Sequence, residues 1–525
     1  MVRTVDTDAT GRFYVTTPIY YVNGTPHIGH AYTTILADVL TRYHRLFGES
    51  TWFLTGTDEH GLKVQQAAEA AGMEPKAYCD SMVGRFVALW DTLHIRYDRF
   101  IRTTDPDHVA CVQEILKQLY DAGEIYSASY QGWYCVPDER FWTEKDLVDG
   151  NCPDCGRPVI ELEEENYFFR MSAYREWLIE HIEAEPDFIF PESRRNEVLG
   201  FLRQGLGDLC ISRPKSRLEW GIPLPFDPEY VTYVWFDALL NYITAVREIS
   251  PPEGETAWWP ADLHLIGKDI VTTHCVYWPT MLRAAGLPLP RRIAAHGWWL
   301  VEEEKMSKSR GNVVRPLELA ERYGIDAFRF FLMREMTVGL DRSFSEVDLI
   351  QRYNSDLAND LGNALNRVTT MIGRYRSGQL PAPAESGAEE DELEKVAIRT
   401  TDRVRREIEE LALAAALDEI MTLVRAVNRY LESRAPWQLA RDEAAAALLD
   451  TVLYTSAEAL RLAGTLLEPV MPTRMATLLE QLGSAPAEGE DFVSRTRWGS
   501  LTPGTAVPGG EGLFPRLEMP EELAG

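Results

Sequence analysis

Long apolar runs are missing from this chain. No stretch approaches the roughly 18 consecutive apolar residues that a membrane-crossing helix needs, so a helical membrane protein is not expected. Residues 1–11 have neither a basic start nor an apolar segment, so no export leader is expected either. Cysteine is scarce: seven residues, an odd number spread over 525, do not make a disulfide framework, which favours a reducing compartment and a cytoplasmic address. Positive charge is also short. With 53 Lys plus Arg against 81 Asp plus Glu the net charge is −28, which argues against coating nucleic acid through bulk electrostatics but leaves room for a local basic face. The usual phosphate-binding signatures are absent: there is no G-x-x-x-x-G-K-[ST] and no G-x-G-x-x-G after a strand. No internal repeat is visible.

What is present reads as three or four globular units, since a domain takes about 150 residues. The first hundred residues alternate strand and helix signals, as an open α/β sheet does. Phe13-Tyr14-Val15-Thr16-Thr17 predicts a strand, Asn23-Gly24 with Pro26 a turn, and Ile35, Leu36, Val39, Leu40, Tyr43, Leu46 and Phe47 one face of a helix ended by Gly48. Trp52-Phe53-Leu54 follows as a second strand. A second half with strands at 230–235, 264–266 and 296–301 comes later, after a stretch of different texture with Cys135, Cys152 and Cys155. Beyond about residue 350 the strand signals stop, and Ala, Leu, Arg and Glu-rich segments predict a helical bundle, with a solvated loop at 381–394. The expected organisation is a first half of an α/β core at 12–110, an insertion at 111–230, the second half at 231–350, an all-α bundle at 351–485 and a loosely held tail at 486–525.

The sharpest local signal is His27-Ile28-Gly29-His30, after a strand and turn and opening a helix. Gly29 lets a ligand reach the backbone, the helix start favours phosphate, and two histidines at i and i+3 can donate to one phosphate as charge grows on it. Two ordinary surface or metal-binding histidines are the plainer alternative. The second signal is Lys305-Met306-Ser307-Lys308-Ser309, two lysines among small residues on a chain poor in cations. A solvated basic turn would explain it alone; both clusters, in this order and each beside one half of a sheet, point to triphosphate chemistry.

At these residues the chain resembles the class I aminoacyl-tRNA synthetases, whose HIGH and KMSKS signatures it matches letter for letter, and most closely the methionyl-tRNA synthetase family. The resemblance runs through Gly56-Thr57-Asp58-Glu59-His60-Gly61, Asn166-Tyr167-Phe168-Phe169, Tyr233-Val234-Trp235-Phe236-Asp237-Ala238 and Ile266-Gly267-Lys268-Asp269-Ile270. It implies a Rossmann-type catalytic core split by an insertion, followed by a helical-bundle anticodon-binding domain. It also implies ATP with Mg²⁺, L-methionine and tRNA(Met) as reactants. Matched position by position, it assigns His27, His30, Lys305 and Lys308 to catalysis at the phosphates. Gly29 and Asp269 join the lysines in the ATP site, Asp269 at the ribose. Asp58 takes the methionine ammonium group, while Ile19, Tyr21, Trp235, Ala238, Tyr242, Ile270 and His274 take its side chain. A thioether gains from aromatic walls, and its sulfur is a weak acceptor for a hydroxyl or imidazole N–H. Ile19 and Ile270, taken singly, are as well explained as core.

Cys135, Cys152 and Cys155 lie where relatives carry a zinc knuckle, but the residue three after Cys135 is Asp138 rather than Cys. A Cys₃Asp zinc site is chemically allowed and unusual for structural zinc; the alternative is a knuckle held by packing alone. In the bundle, Asn363 and Arg367 share a helix face at i and i+4, and with Trp437 they match the family's anticodon-reading positions. A Trp stacks an unpaired base, and Asn and Arg bond base edges.

Other readings make different demands. A small-molecule nucleotidyltransferase would not need the bundle with Asn363, Arg367 and Trp437, and a non-catalytic RNA-binding relative should have lost one signature. Roughly 125 residues between the halves are too few for the editing insertion of the branched-chain enzymes. A cysteine-activating enzyme would need metal ligands at the amino-acid pocket. No further dimerising module is seen after the helices, so a monomer is expected.

Overall fold

The computed structural model describes residues 11–135, 140–142, 144–153, 155–254, 257–301, 304–305, 314–384, 386–485 and 491–523. Six parallel strands form the central sheet: β1 (Arg12–Tyr21), β2 (Ser50–Asp58), β3 (Arg99–Arg102), β4 (Ile189–Phe190), β5 (Leu263–Gly267) and β6 (Ile293–His296), in the spatial order β3-β2-β1-β5-β6-β4. Both faces are covered, as parallel sheets require. Phe13, Val15, Phe53, Leu265 and Ala294 face one core; Tyr14, Leu54, Ile266, Ile293 and Ala295 face the other. The chain reverses its winding between β1 and β5, and in such sheets the crevice at the carboxyl ends there is the ligand site.

Helix α1 (Ile28–Leu46) follows β1 and ends as its sequence demands: the Phe47 N–H returns to the Tyr43 carbonyl, and Gly48 takes φ +92°. Later elements that frame the site are α2 (Pro106–Asp121), α3 (Val234–Leu239) and α4 (Ile325–Glu335). The bundle comprises α5 (Asn363–Arg376), α6 (Ala388–Glu409), α7 (Leu413–Arg434), α8 (Ala446–Leu467) and α9 (Pro472–Gln481). Its apolar faces share one continuous core with α1. The junction includes buried polar links, among them the Tyr43 hydroxyl donating to the Leu466 carbonyl at 2.7 Å. The fully buried Arg329 of α4 donates to Asp38 of α1 at 2.6 Å and to the carbonyls of Leu93, Pro469 and Val470 at 3.0, 3.1 and 2.8 Å. Asp38 also accepts from Arg42 and from the Arg96 N–H.

Four expectations change. The strand-like run at 230–235 is not in the central sheet: Asp227–Thr232 pairs antiparallel with Ser212–Pro214 and Pro223–Leu224, and Trp235 lies on α3. β-rich composition marks extended backbone without naming its partner. The insertion instead lends β4 to the edge of the central sheet, two residues too short to register as a strand pattern. Within 381–394, the part from Ala388 is helical: Glu389, Glu390 and Asp391 fill the first turn of α6, where the helix dipole favours acids, and Glu390 accepts from the Gly387 N–H at 2.9 Å. Finally, the described part of 486–525 is packed. Phe492, Leu501, Val507, Leu513 and Phe514 are buried, and the buried Glu458 carboxylate accepts from the N–H groups of Gly499, Ser500 and Leu501.

Candidate active site, cysteine knuckle and anticodon surface

The β1–α1 turn is built by its two histidines. The Gly29 N–H donates to His27 Nδ1 and the His27 N–H to His30 Nδ1, both at 3.1 Å, so the rings satisfy helix-start donors that a Ser or Asp would usually serve. Using Nδ1 as an acceptor puts the proton of each neutral ring on Nε2, which makes Nε2–H the donor of each. The ring centroids are 3.9 Å apart. Gly29 is required by that packing: a Cβ there would sit 2.9 Å from His27 Cε1.

These histidines open onto a cavity of about 620 Å³ at the carboxyl ends of β1, β5 and β6. Its lining includes Gly29, Asp269 and all eight residues matched to the methionine site: Ile19, Tyr21, Asp58, Trp235, Ala238, Tyr242, Ile270 and His274. Asp58 ends β2 and is 2% exposed. Tyr21, Trp235 and His274 form an aromatic chain of edge-to-face contacts, with centroids 6.3 and 6.2 Å apart. His274 stands on a π-helical turn after β5, a widened turn of the kind found at functional sites. Its Nδ1 donates to the Ile270 carbonyl at 3.0 Å, and its Nε2 accepts from the Tyr242 hydroxyl at 2.8 Å. Burial pushes this imidazole down to about 4, so it is neutral at pH 7. Both donors expected to meet a thioether sulfur are thus engaged with protein partners. A ligand side chain meets aromatic faces, and a bond to sulfur requires one of these two donors to leave its present partner.

Asp269 accepts from Trp298 Nε1 at 3.1 Å; the Trp298 ring lies under Lys268 Nζ at 4.0 Å, and Lys268 pairs with Asp341 at 2.6 Å. Gly267 permits this, because a Cβ would stand 2.6 Å from Asp269 Oδ1. Lys305 lies in a short strand with its Cα opposite Leu300. Lys308 lies outside the described residues.

The three cysteine sulfurs of Cys135, Cys152 and Cys155 lie within 4.8 Å of one another, and Cys135 Sγ is 3.5 Å from Cys155 Sγ. A disulfide would bring sulfurs to about 2.05 Å. Two thiolates on a tetrahedral zinc at about 2.3 Å each stand about 3.8 Å apart. The Cys152 N–H donates to the Arg157 carbonyl and the Gly156 N–H to the Cys152 carbonyl, both at 2.9 Å, which folds this loop as a tight knuckle. Asp138 lies outside the described residues. On the bundle, the Arg367 guanidinium sits 5.5 Å from the Trp437 ring centroid and pairs with Glu432 at 2.8 Å. Asn363 is exposed one turn earlier on α5, and Trp437 is presented by Ala435, at φ +42°, and Pro436.

Comparison with known proteins agrees with this geometry. The family model described as "tRNA synthetases class I (M)" matches residues 13–161 and 157–369, and "Anticodon binding domain of methionyl tRNA ligase" matches 380–523. The methionine–tRNA ligase of Caldanaerobacter subterraneus subsp. tengcongensis is 50% identical over 515 residues, 98% of this chain and 80% of its own. That of Streptomyces coelicolor is 47% identical over 522 residues, 96% and 97% of the two chains. The chain belongs to the methionyl-tRNA synthetase family. The solved structure of the Mycobacterium tuberculosis family member, in complex with methionyl-adenylate, superposes with a TM-score of 0.91 at 44% identity, over 96% of this chain and all of that one.

Sequence reasoning missed several lining residues that the family fold brings in. His296, at the end of β6, places its Nε2 2.7 Å from the Thr33 hydroxyl, and its Nδ1 donates to the Gly297 carbonyl. A histidine at the carboxyl end of a parallel strand was a usable signal. Trp298 and Asn23 also line the cavity, and so does Arg157 of the knuckle, for which the sequence offers no signal.

Proposed function

We propose that this cavity joins L-methionine to ATP, giving methionyl-adenylate and pyrophosphate, and that the methionine then passes to the 3′ end of tRNA(Met). One observation carries the reading: an aromatic pocket with a buried carboxylate lies beside two Nε2–H donors at a helix start, all at the switch point of a parallel sheet. Asp58 holds the ammonium group and the Tyr21–Trp235–His274 walls hold the side chain, which leaves the substrate carboxylate turned toward the His27 and His30 rings. A carboxylate oxygen attacks the α-phosphorus in line, and the bond from that phosphorus to the bridging oxygen of pyrophosphate breaks. No covalent enzyme intermediate forms. His27 and His30 donate to phosphate oxygens as charge builds, Lys305 and Lys308 neutralise the departing pyrophosphate, and Asp269 holds the ribose. Mg²⁺ bound with the triphosphate would supply further neutralisation of its negative charge beside Lys305 and Lys308.

Cys135, Cys152 and Cys155 would hold structural Zn²⁺, with Asp138 as the fourth ligand; the sulfur separations support this. Asn363, Arg367 and Trp437 form the anticodon-reading surface, with tRNA bound by a few placed cations and an aromatic stack rather than by net charge. The enzyme is a monomer in the cytoplasm, in keeping with seven unbridged cysteines. The test is amino-acid-dependent exchange of labelled pyrophosphate into ATP. Methionine should drive it far better than leucine, valine or cysteine; equal exchange with any of these rejects the assignment.

A further inference from the structure

Outside the cavity lining, Asp237 meets two histidines. Its Oδ2 is 2.7 Å from His60 Nδ1 and its Oδ1 is 2.7 Å from His108 Nε2. Asp237 and His108 are fully buried and His60 is 6% exposed. Burial alone would raise the Asp237 carboxyl, but the two histidines outweigh it and hold the group below its ordinary value. An ionised carboxylate only accepts, so both rings donate to it, and each bond is charge-assisted and directional. As a stability device such a cluster is poor, since well-packed apolar residues often do as well in its place.

Its position is what matters. His60 follows Asp58 by two residues at the turn that closes β2. Asp237 lies on α3 between Trp235 and Ala238, two walls of the cavity. His108, on α2, backs the carboxylate from the far side, with Nδ1 3.3 Å from the hydroxyl of Thr244, two residues after Tyr242. The cluster therefore ties the turn that carries the ammonium-binding carboxylate to the helix that carries the side-chain walls, across 177 residues of sequence. The turn is braced from its other side as well: Glu59 takes Arg102, Thr57 and Thr104, and the Trp220 ring stands 5.4 Å from His60.

We infer that Asp237 is a positioning residue for amino-acid recognition, which sets the span between Asp58 and the Trp235–Ala238 wall by pinning His60 and His108. This rests on the methionine reading of the cavity. The span decides which amino acid reaches both anchors at once, so loosening it weakens methionine binding and blurs its length selectivity, while the phosphate site on α1 is untouched.

The experiment is steady-state pyrophosphate exchange by the full-length wild type, D237N, H60A and H60N, with methionine and with ethionine, one methylene longer. The Asn introduced in D237N keeps the shape but offers one acceptor oxygen for two donors; the Asn in H60N supplies an N–H near the lost Nδ1. For D237N and H60A the KM for methionine should rise about tenfold, the worth of one charge-assisted bond, with kcat and the KM for ATP within about twofold. Discrimination against ethionine should narrow, and H60N should recover most of the loss. Parallel rises in both KM values, or H60N no better than H60A, would overturn the positioning role. So would lowered melting temperatures with unchanged KM for methionine. If D237N does not fold, the H60A and H60N pair decides alone. A wild type without methionine-dependent exchange overturns the reading of the cavity itself, and the inference with it.

Discussion

His274 offers a prediction whose size follows from its surroundings. The imidazole is fully buried, donates to the Ile270 carbonyl, accepts from Tyr242, and is pushed down to about 4 from an ordinary value near 6.5. Unfolded chain takes up this proton first as pH falls, so the group's contribution to stability is whole above pH 6.5 and is lost on the way down through pH 4. By linkage the loss is below about 0.1 kcal/mol at pH 7.5, about 2 kcal/mol at pH 5, and levels near roughly 3 kcal/mol below pH 4. The perturbation is His274→Gln, whose amide accepts from Tyr242 but does not titrate. Urea unfolding of both proteins at pH 7.5 and pH 5 gives two stability differences, in which the other titrating groups common to both chains largely cancel. The variant's deficit at pH 7.5 should shrink by about 2 kcal/mol at pH 5. A deficit that stays constant, or grows on acidification, refutes the claim that His274 is held neutral by burial.

Three further outcomes are expected. Arg329→Ala should destabilise by about 3 kcal/mol, because it removes one of the two cations on the buried Asp38 and leaves the carbonyls of Leu93, Pro469 and Val470 without their donor; urea denaturation measures it. Trp437→Ala should lower charging of tRNA by about five- to 150-fold, one base stack being worth roughly 1–3 kcal/mol, and leave pyrophosphate exchange near wild type. A fall in both would mean the anticodon surface is elsewhere. Purified protein should carry about one equivalent of zinc, reduced by Cys152→Ser; less than about a tenth of an equivalent in the wild type counts against the knuckle site.

The pieces of chemistry that depend on neighbours along the chain are legible in the amino-acid sequence alone. His27, Gly29 and His30 fall at i, i+2 and i+3 of a helix start, and a helix start is a local event, so their place at the opening of α1 can be read directly. Gly48 and the apolar face of α1 are legible for the same reason. The reach of Asp58, Trp235, His274 and Asp269 toward one point came from resemblance to a family, since nothing local in those motifs says that they converge. The loop expected at 381–394 was misjudged in its second half because acids that favour solvent also favour a helix N-terminus.

Sequence by itself thus determined the class of fold and the helix start at His27 to His30, because periodicity and short-range spacing act over a few residues. Tertiary structure decided the rest. It placed the β4 strand of the insertion on the central sheet, folded 491–523 back onto Glu458, committed Tyr242 to His274, and joined His60, Asp237 and His108 from three separate elements. Each of these depends on a buried polar group finding its partner dozens or hundreds of residues away. Burial imposes that requirement, and only the packed chain names the partner.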